Sequence, residues 1–240
     1  MFAKFFTFVI IVIPVTTKLV PYIHACGRKN PNIDNCIMQS IEDLKERICI
    51  GIPELESPPL EPFVIDHITI SDSNNAKLFL KDSNILGICN FALNTFHIDL
   101  DKLQFNFTVT FPKVYSNNTY DIDIRVLLPV VHKGPIHFIT DNVLAKSTLD
   151  LKIITRYGER YVYISKMNLQ FDIKGLKTKL DVNEPSQLNE IIRNFLVYNE
   201  EELIAKIKPS LETEVSKKII SIANNIVKHF TFNELFPDRD

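Results

Sequence analysis

From about residue 76 to residue 173 the chain alternates apolar and polar residues with a period of two, and few architectures accommodate so long a stretch of that pattern. The cleanest run is 102–111, where Leu103, Phe105, Phe107, Val109 and Phe111 alternate with Lys102, Gln104, Asn106, Thr108 and Thr110. That is a strand with one dry and one wet face. Tyr120, Ile122, Ile124 and Val126 alternate with Asp121, Asp123 and Arg125, and Met167, Leu169, Phe171 and Ile173 with Asn168, Gln170 and Asp172. Long one-faced strands in sequence predict antiparallel pairing through hairpins. The apolar content supports this, since Phe reaches 17 residues while Gly is held to 6 and Trp to none.

Past Gly175 the period becomes that of a helix. Leu188, Ile191, Ile192 and Phe195 form one amphipathic segment, and Asn199 stands where a cap would open the next. The next carries Leu203, Ile207, Leu211, Val215, Ile219, Ala223, Ile226 and Phe230, a stripe that at about 1.5 Å per residue runs roughly 40 Å. Pro209 should kink it or set a boundary near Lys208. A narrow apolar stripe beside a large one-faced sheet predicts that this helix packs against the sheet, an α+β arrangement. Upstream, Ile37, Ile41, Leu44 and Ile48 predict a helix over 35–50, ended by Gly51 and Pro53, followed by a strand over 63–70.

The first 25 residues read as a signal peptide: a weakly basic start, then an apolar run from Phe5 to Val15 interrupted only by Thr7, too short to span a bilayer. No later segment looks membrane-spanning, so no stable membrane insertion is expected. Residues 26–240 then form a single domain. Without Lys4 and Lys18 it is more acidic than the full chain, whose formal net charge is −2, and no basic surface suits a nucleic acid. An extracellular route permits disulfides. Cys26 and Cys36 are the local candidates, and closing so short a loop is worth about 2–3 kcal/mol on the chain-entropy estimate. Cys49 and Cys89 either pair or stay buried as thiols. Two sequons fit secretion: Asn106-Phe107-Thr108 on a wet strand face, and Asn117-Asn118-Thr119 in what reads as a polar turn.

No nucleophile elbow, zinc-helix pair, redox cysteine pair or glycine-rich phosphate loop occurs, so the reading is non-enzymatic, with neither cofactor nor metal. Asp66-His67 and His132/His137 alternate with strand residues and read as solvent-facing or capping histidines. The Phe-rich dry face, taken alone, reads as a solid core.

One segment goes further. Gly51-Ile-Pro-Glu-Leu-Glu-Ser-Pro-Pro-Leu-Glu-Pro62, preceded by Cys26, Cys36 and an amphipathic helix, resembles the insect takeout and juvenile hormone-binding protein family. Phe111-Pro112 followed by Tyr120, Phe195-Leu196 before Asn199, Lys208-Pro209 and the closing Phe232-Asn-Glu-Leu-Phe-Pro237 extend the likeness. Members often carry a Gly-x-Gly turn where Val131-His-Lys-Gly-Pro135 stands here, and a Trp after the position of Asn199. The hormone binders' second disulfide uses cysteines farther along, and none follows Cys89, which points to a takeout-like protein of undetermined ligand.

The resemblance implies a TULIP-like super-roll, a long curved antiparallel sheet wrapped around a long C-terminal helix, with an apolar tunnel for a juvenile hormone-like terpenoid, fatty acid or similar lipid. It also implies a Cys26–Cys36 disulfide and an extracellular carrier, in haemolymph or another fluid, with any receptor or partner carrier unknown. On that footing the ligand-lining candidates are Phe105, Phe107, Val109, Phe111 and Tyr120 from the sheet and Leu211, Val215 and Ile219 from the helix. The Tyr120 hydroxyl is a candidate donor to a ligand oxygen. The alternative is a secreted surface-interaction protein without a stoichiometric ligand.

Overall fold

The alternating segments form seven antiparallel strands: β1 Phe63–Asp72, β2 Ala76–Leu86, β3 Ala92–Asp99, β4 Gln104–Arg125, β5 Pro129–Arg156, β6 Glu159–Asp172 and β7 Lys177–Leu180. This is a computed structural model, and it describes residues 22–125, 129–180, 190 and 199–239. The expected signal peptide up to residue 21, the segment carrying Leu188, Ile191, Ile192 and Phe195, and Val126 fall outside the described residues. β4 and β5, 22 and 28 residues long, are the spine, and β4 pairs along its whole length with β5 from Pro129 to Asp150. Against the outer side of β4 lie β2 at one end and β3 at the other; against β5 lie β7 and β6 in the same way. β1 completes the path β1-β2-β4-β5-β6.

The sheet curls because its strands change face. On β5 the buried set Ile136, Phe138 and Thr140 gives way to Val143, Ala145 and Ser147, so two consecutive residues, Asp141 and Asn142, point outward. Asn142 has φ 53° and lies on the rung of Pro112, between the pairs Phe111–Val143 and Lys113–Asp141. β2 does the same at Asp82, φ 52°, between Leu80 and Ser83. Asn and Asp tolerate this left-handed region better than other residues with a Cβ. β6 changes face between Ile164 and Met167, where its register with β5 slips. Each irregularity bends and twists the sheet while keeping apolar residues on the concave side.

That concave side holds a helix, α2, Glu200–Val227. Asn199 occupies its N-cap position, and Glu200, Glu201 and Glu202 complement the positive end of the helix dipole. Pro209 sets no boundary: the helix continues through it for 28 residues in all. Pro209 has no N–H for the Ala205 carbonyl, a loss of about 3 kcal/mol in an isolated helix. Leu203 and Ile207 before it, and Val215 after it, are buried in one core with the sheet, and that burial outweighs the loss.

Side chains of α2 also satisfy the backbone of both outermost strands. The Thr69 N–H of β1 donates to Ser210 Oγ at 3.0 Å. On β6, the Phe171 N–H donates to Glu212 Oε1 at 2.7 Å. Asn224 clamps Ile164 twice, accepting from its N–H at 2.8 Å and donating to its carbonyl at 2.9 Å. The helix thus closes the roll by hydrogen bonding as well as by apolar contact.

A first helix, α1 Ile33–Ile50, docks on β3 through Asp34, whose carboxylate accepts from the Ile98 N–H and meets His97 Nδ1, both at 2.9 Å. It ends at Gly51, φ 90°, where a Cβ would stand 2.8 Å from the Pro59 nitrogen. A last helical turn, α3 Phe232–Leu235, is held by a capping box between Thr231 and Glu234. The chain ends are strapped together. The Arg28 N–H donates to the Pro237 carbonyl, and Arg28 and Lys29 pair with Asp238, pulling its pKa down to about 2. Cys26–Cys36 and Cys49–Cys89 are both disulfides, with Cα separations of 6.0 and 5.8 Å. The second closes the alternative that the sequence leaves open.

Candidate functional site: the interior between helix and sheet

The concave face of the sheet and the buried stripe of α2 enclose one apolar interior. It holds Phe107, Phe111 and Tyr120 from β4 and Leu211, Val215 and Ile219 from α2, six of the eight lining candidates. Val109 is buried on the same strand. Phe105 belongs to the adjoining cluster, near Phe96 and Phe236, with ring centroids 5.6 and 6.3 Å away. Leu103, expected in the strand alternation, instead sits in the β3–β4 turn with φ 52°, which is why β4 starts one residue later.

The Tyr120 hydroxyl has a partner within the protein. The side chain is buried, its hydroxyl lies 2.7 Å from His132 Nδ1, and the two rings stack at 5.6 Å. Burial pushes the phenol pKa up, so it keeps its proton, but its hydroxyl is already engaged. His132, expected at the surface, is half-buried on the concave side beside it. Across the strands Tyr120 pairs with Gly134, where an added Cβ would meet the Tyr120 oxygen at 3.0 Å and its ring at 3.2 Å. Gly134→Ala is therefore expected to push the ring off His132 and lower unfolding stability by about 1–3 kcal/mol in urea denaturation. A change under about 0.3 kcal/mol would show the ring to be free to move.

His67 and His137 lie on the outer face of the sheet. His67 is exposed and packs on Phe79 at 4.7 Å, and His137 meets Asn117 Oδ1 at 2.7 Å. The sequon at Asn117 is not in a turn: it lies inside β4, between β2 and β5, because pairing on both sides holds Ser116–Thr119 extended. Asn117 faces outward and is exposed. Asn106 faces outward too, accepts from Thr148 Oγ1 at 2.7 Å, and lines a groove of about 380 Å³ with Thr95, Phe96, His97, Lys146 and Gln170.

The concave face also carries polar side chains. Ser83, Asn118, Thr140 and Ser147 are buried. Asn118 is satisfied: its Nδ2 donates to the carbonyls of Ser116 and Ile136 at 3.2 and 3.3 Å, and its Oδ1 accepts from Ser116 Oγ at 2.8 Å. Thr140 was detectable in sequence, since it continues the dry register of Ile136 and Phe138. Ser83 was not, because it follows the face change at Asp82.

At the end of the roll nearest α1, an apolar cleft of about 150 Å³ is lined by Ile23, Ile37, Ile41, Phe105, Leu235 and Phe236 among others. His24 and the sulfurs of Cys26 and Cys36 lie within 4.8 Å of one another, but the sulfurs are bonded together, which removes them as metal ligands. No helix among the described residues is long and apolar enough to cross a membrane.

This architecture has a close counterpart among solved structures. Takeout 1 of Epiphyas postvittana superposes with a TM-score of 0.73 at 17% identity, covering 89% of this chain and 99% of that one. A lipopolysaccharide binding protein aligns over 80% of this chain and 39% of its own at 12% identity, with a TM-score of only 0.39. No curated protein sequence matches. The sequence model of the family described as haemolymph juvenile hormone binding protein matches residues 5–237, nearly the whole chain. With a curled antiparallel sheet closed by a long C-terminal helix and a family match of that extent, the chain belongs to the haemolymph juvenile hormone binding protein family.

Proposed function

We propose that this protein is a secreted, non-enzymatic carrier that buries a small hydrophobic ligand, a juvenile hormone-like terpenoid, fatty acid or similar lipid, between α2 and the sheet and releases it unchanged. The carrying observation is the interior itself: Phe107, Phe111, Leu211, Val215 and Ile219 meet in one apolar cluster between α2 and the sheet. The family, the two disulfides and the two outward-facing sequon asparagines support an extracellular setting. The cleft beside Phe105, about 150 Å³, is smaller than the roughly 300–1,000 Å³ of small-molecule pockets, so loading requires α2 or the amino-terminal segment to give way.

Burying about 350 Å² of ligand at about 25 cal/mol per Å² gives about 9 kcal/mol before association costs of at least about 4 kcal/mol. Apolar contact alone then yields only submillimolar binding, and a polar anchor must supply the rest.

The test is native mass spectrometry of the mature protein secreted from insect cells, with organic extraction of any bound molecule. A stoichiometric apolar ligand is expected. Phe107→Trp should reduce its affinity about ten-fold while lowering folding stability by less than the about 1–3 kcal/mol of an overpacked core. Protein that is repeatedly empty and refuses terpenoids and fatty acids would favour the surface-interaction reading. That reading has its own observation: Tyr157, at φ 53° on the tip of the β5–β6 hairpin, is 103% exposed, a ring in a strained conformation with no packing role.

A further inference from the structure

The β5–β6 hairpin carries features that the interior does not use. Its base is anchored by the buried pair Leu151–Ile164, but residues 155–160 are all exposed. A Cβ on Gly158 would meet nothing within 4 Å, so the tip stands clear of the rest of the molecule. The turn residues Tyr157 and Gly158 both have positive φ, 53° and 84°. Asn-Gly meets that demand with least strain, and here a tyrosine takes the first position. Its ring packs on nothing, and strain kept at an exposed point without a packing return marks a functional position. Tyr161 and Tyr163 follow on the outer face of β6, Tyr163 44% exposed and directly across from Lys152. Three of the seven tyrosines of the chain therefore gather in residues 157–163, at one end of the roll.

The charges there oppose those of the whole molecule. Between Leu151 and Ile164 stand Lys152, Arg156 and Arg160 against Glu159 alone, in a chain whose formal net charge is −2. Of the acids nearby, Asp238 is paired with Arg28 and Lys29, and Asp99 with Lys102. We infer that this tip docks on a lipid surface rich in anionic phospholipid, with Tyr157 seated among the headgroups and Lys152 and Arg156 against their phosphates. Tyrosine beside Lys and Arg is the side-chain set that rests at a membrane–water interface, the ring in the apolar margin and the hydroxyl in water. Basic residues are drawn to such a surface, which the rest of this acidic molecule would avoid. A protein partner fits less well, because a stable interface needs about 800 Å² from each side and a two-residue turn offers far less. The docked end is also the end with the cleft: Arg160 lies over the Phe232 ring at 4.8 Å, Phe232 meets Phe236 at 5.6 Å, and Phe236 lines the cleft. The inference rests on the carrier reading for its purpose, exchange of apolar cargo with a membrane at that end.

The experiment is flotation of the full mature chain with vesicles of phosphatidylcholine, alone or with about one-third phosphatidylserine, at low salt. Binding to the anionic vesicles is expected to be about thirty-fold tighter, a gap that closes at about 0.5 M salt. Tyr157→Asn suits the left-handed backbone, so it should hold or raise the urea midpoint while weakening vesicle binding about five-fold. Lys152→Gln with Arg156→Gln removes the net positive charge and should erase most of the anionic preference. Equal binding to both vesicles, or wild-type binding by both variants, overturns the docking site. Saturable, protease-sensitive binding to cell membranes without binding to vesicles overturns it in favour of a protein partner. A second readout, transfer of an anthroyloxy-labelled fatty acid from anionic to neutral vesicles, separates docking from cargo. Docking without transfer upholds the site and counts against the carrier reading. Transfer that persists undiminished in the tip variants upholds the carrier and overturns the role of the tip.

Discussion

Replacing Cys49 and Cys89 together by serine is expected to lower the free energy of unfolding by about 4 kcal/mol, the chain-entropy value for a loop of their separation, 40 residues. The bond ties the last turn of α1 to the short turn after β2, and the loop it closes contains all of β1 and β2. Those strands form one flank of the interior, so the unfolded chain gains most of its freedom where the native state needs most order. The Cys26–Cys36 pair closes a loop of only 10 residues, and its removal should cost about 3 kcal/mol by the same estimate. Urea denaturation of the two double variants, each checked for retained native spectra, measures the difference. A loss below about 1 kcal/mol for the Cys49/Cys89 variant would mean that the remaining contacts already restrict this loop in the unfolded ensemble.

Asn224→Leu should cost about 3 kcal/mol although it enlarges the apolar stripe of α2. The amide makes two hydrogen bonds to Ile164, a residue only 4% exposed, and its loss strands an N–H and a carbonyl together. Each buried orphan is worth about 1–3 kcal/mol, and leucine's added apolar surface offsets part of the sum. Hydrogen exchange gives a local readout: the Ile164 amide should lose protection by more than the global destabilisation accounts for. Protection that falls only in step with global stability would show the clamp to be dispensable.

Much of this fold is written in the alternation of residues 102–111 and 167–173 and in the helical stripe from Leu203 to Ile226. These are local patterns, fixed by which side chains must leave water. What escaped sequence reading depends on partners distant in the chain. Phe111-Pro112 and Ser116-Asn117-Asn118-Thr119 look like breaks, yet both lie inside one 22-residue strand, because β2 and β5 pair on either side and Pro112 falls on the rung where Asn142 already bends the ladder. Pro209 looks like a stop, but the burial of Ile207 and Val215 holds the helix through it. That Phe107, Phe111, Val215 and Ile219 face the apolar interior was legible from period alone. The burial of Ser83 was not, since assigning its face needs the irregularity at Asp82.

The hydrogen bonds from Ser210, Glu212 and Asn224 have a further consequence under the proposed carrier function, in which loading opens the roll. A strand border left bare recruits other strands, and here a single helix screens the borders on both sides. If loading lifts α2, each exchange briefly bares two long adhesive rims, and in a crowded fluid the nearest thing to stick to them is another copy. The lifetime of the open form, more than its affinity for cargo, then sets the concentration at which such a carrier can circulate without clumping.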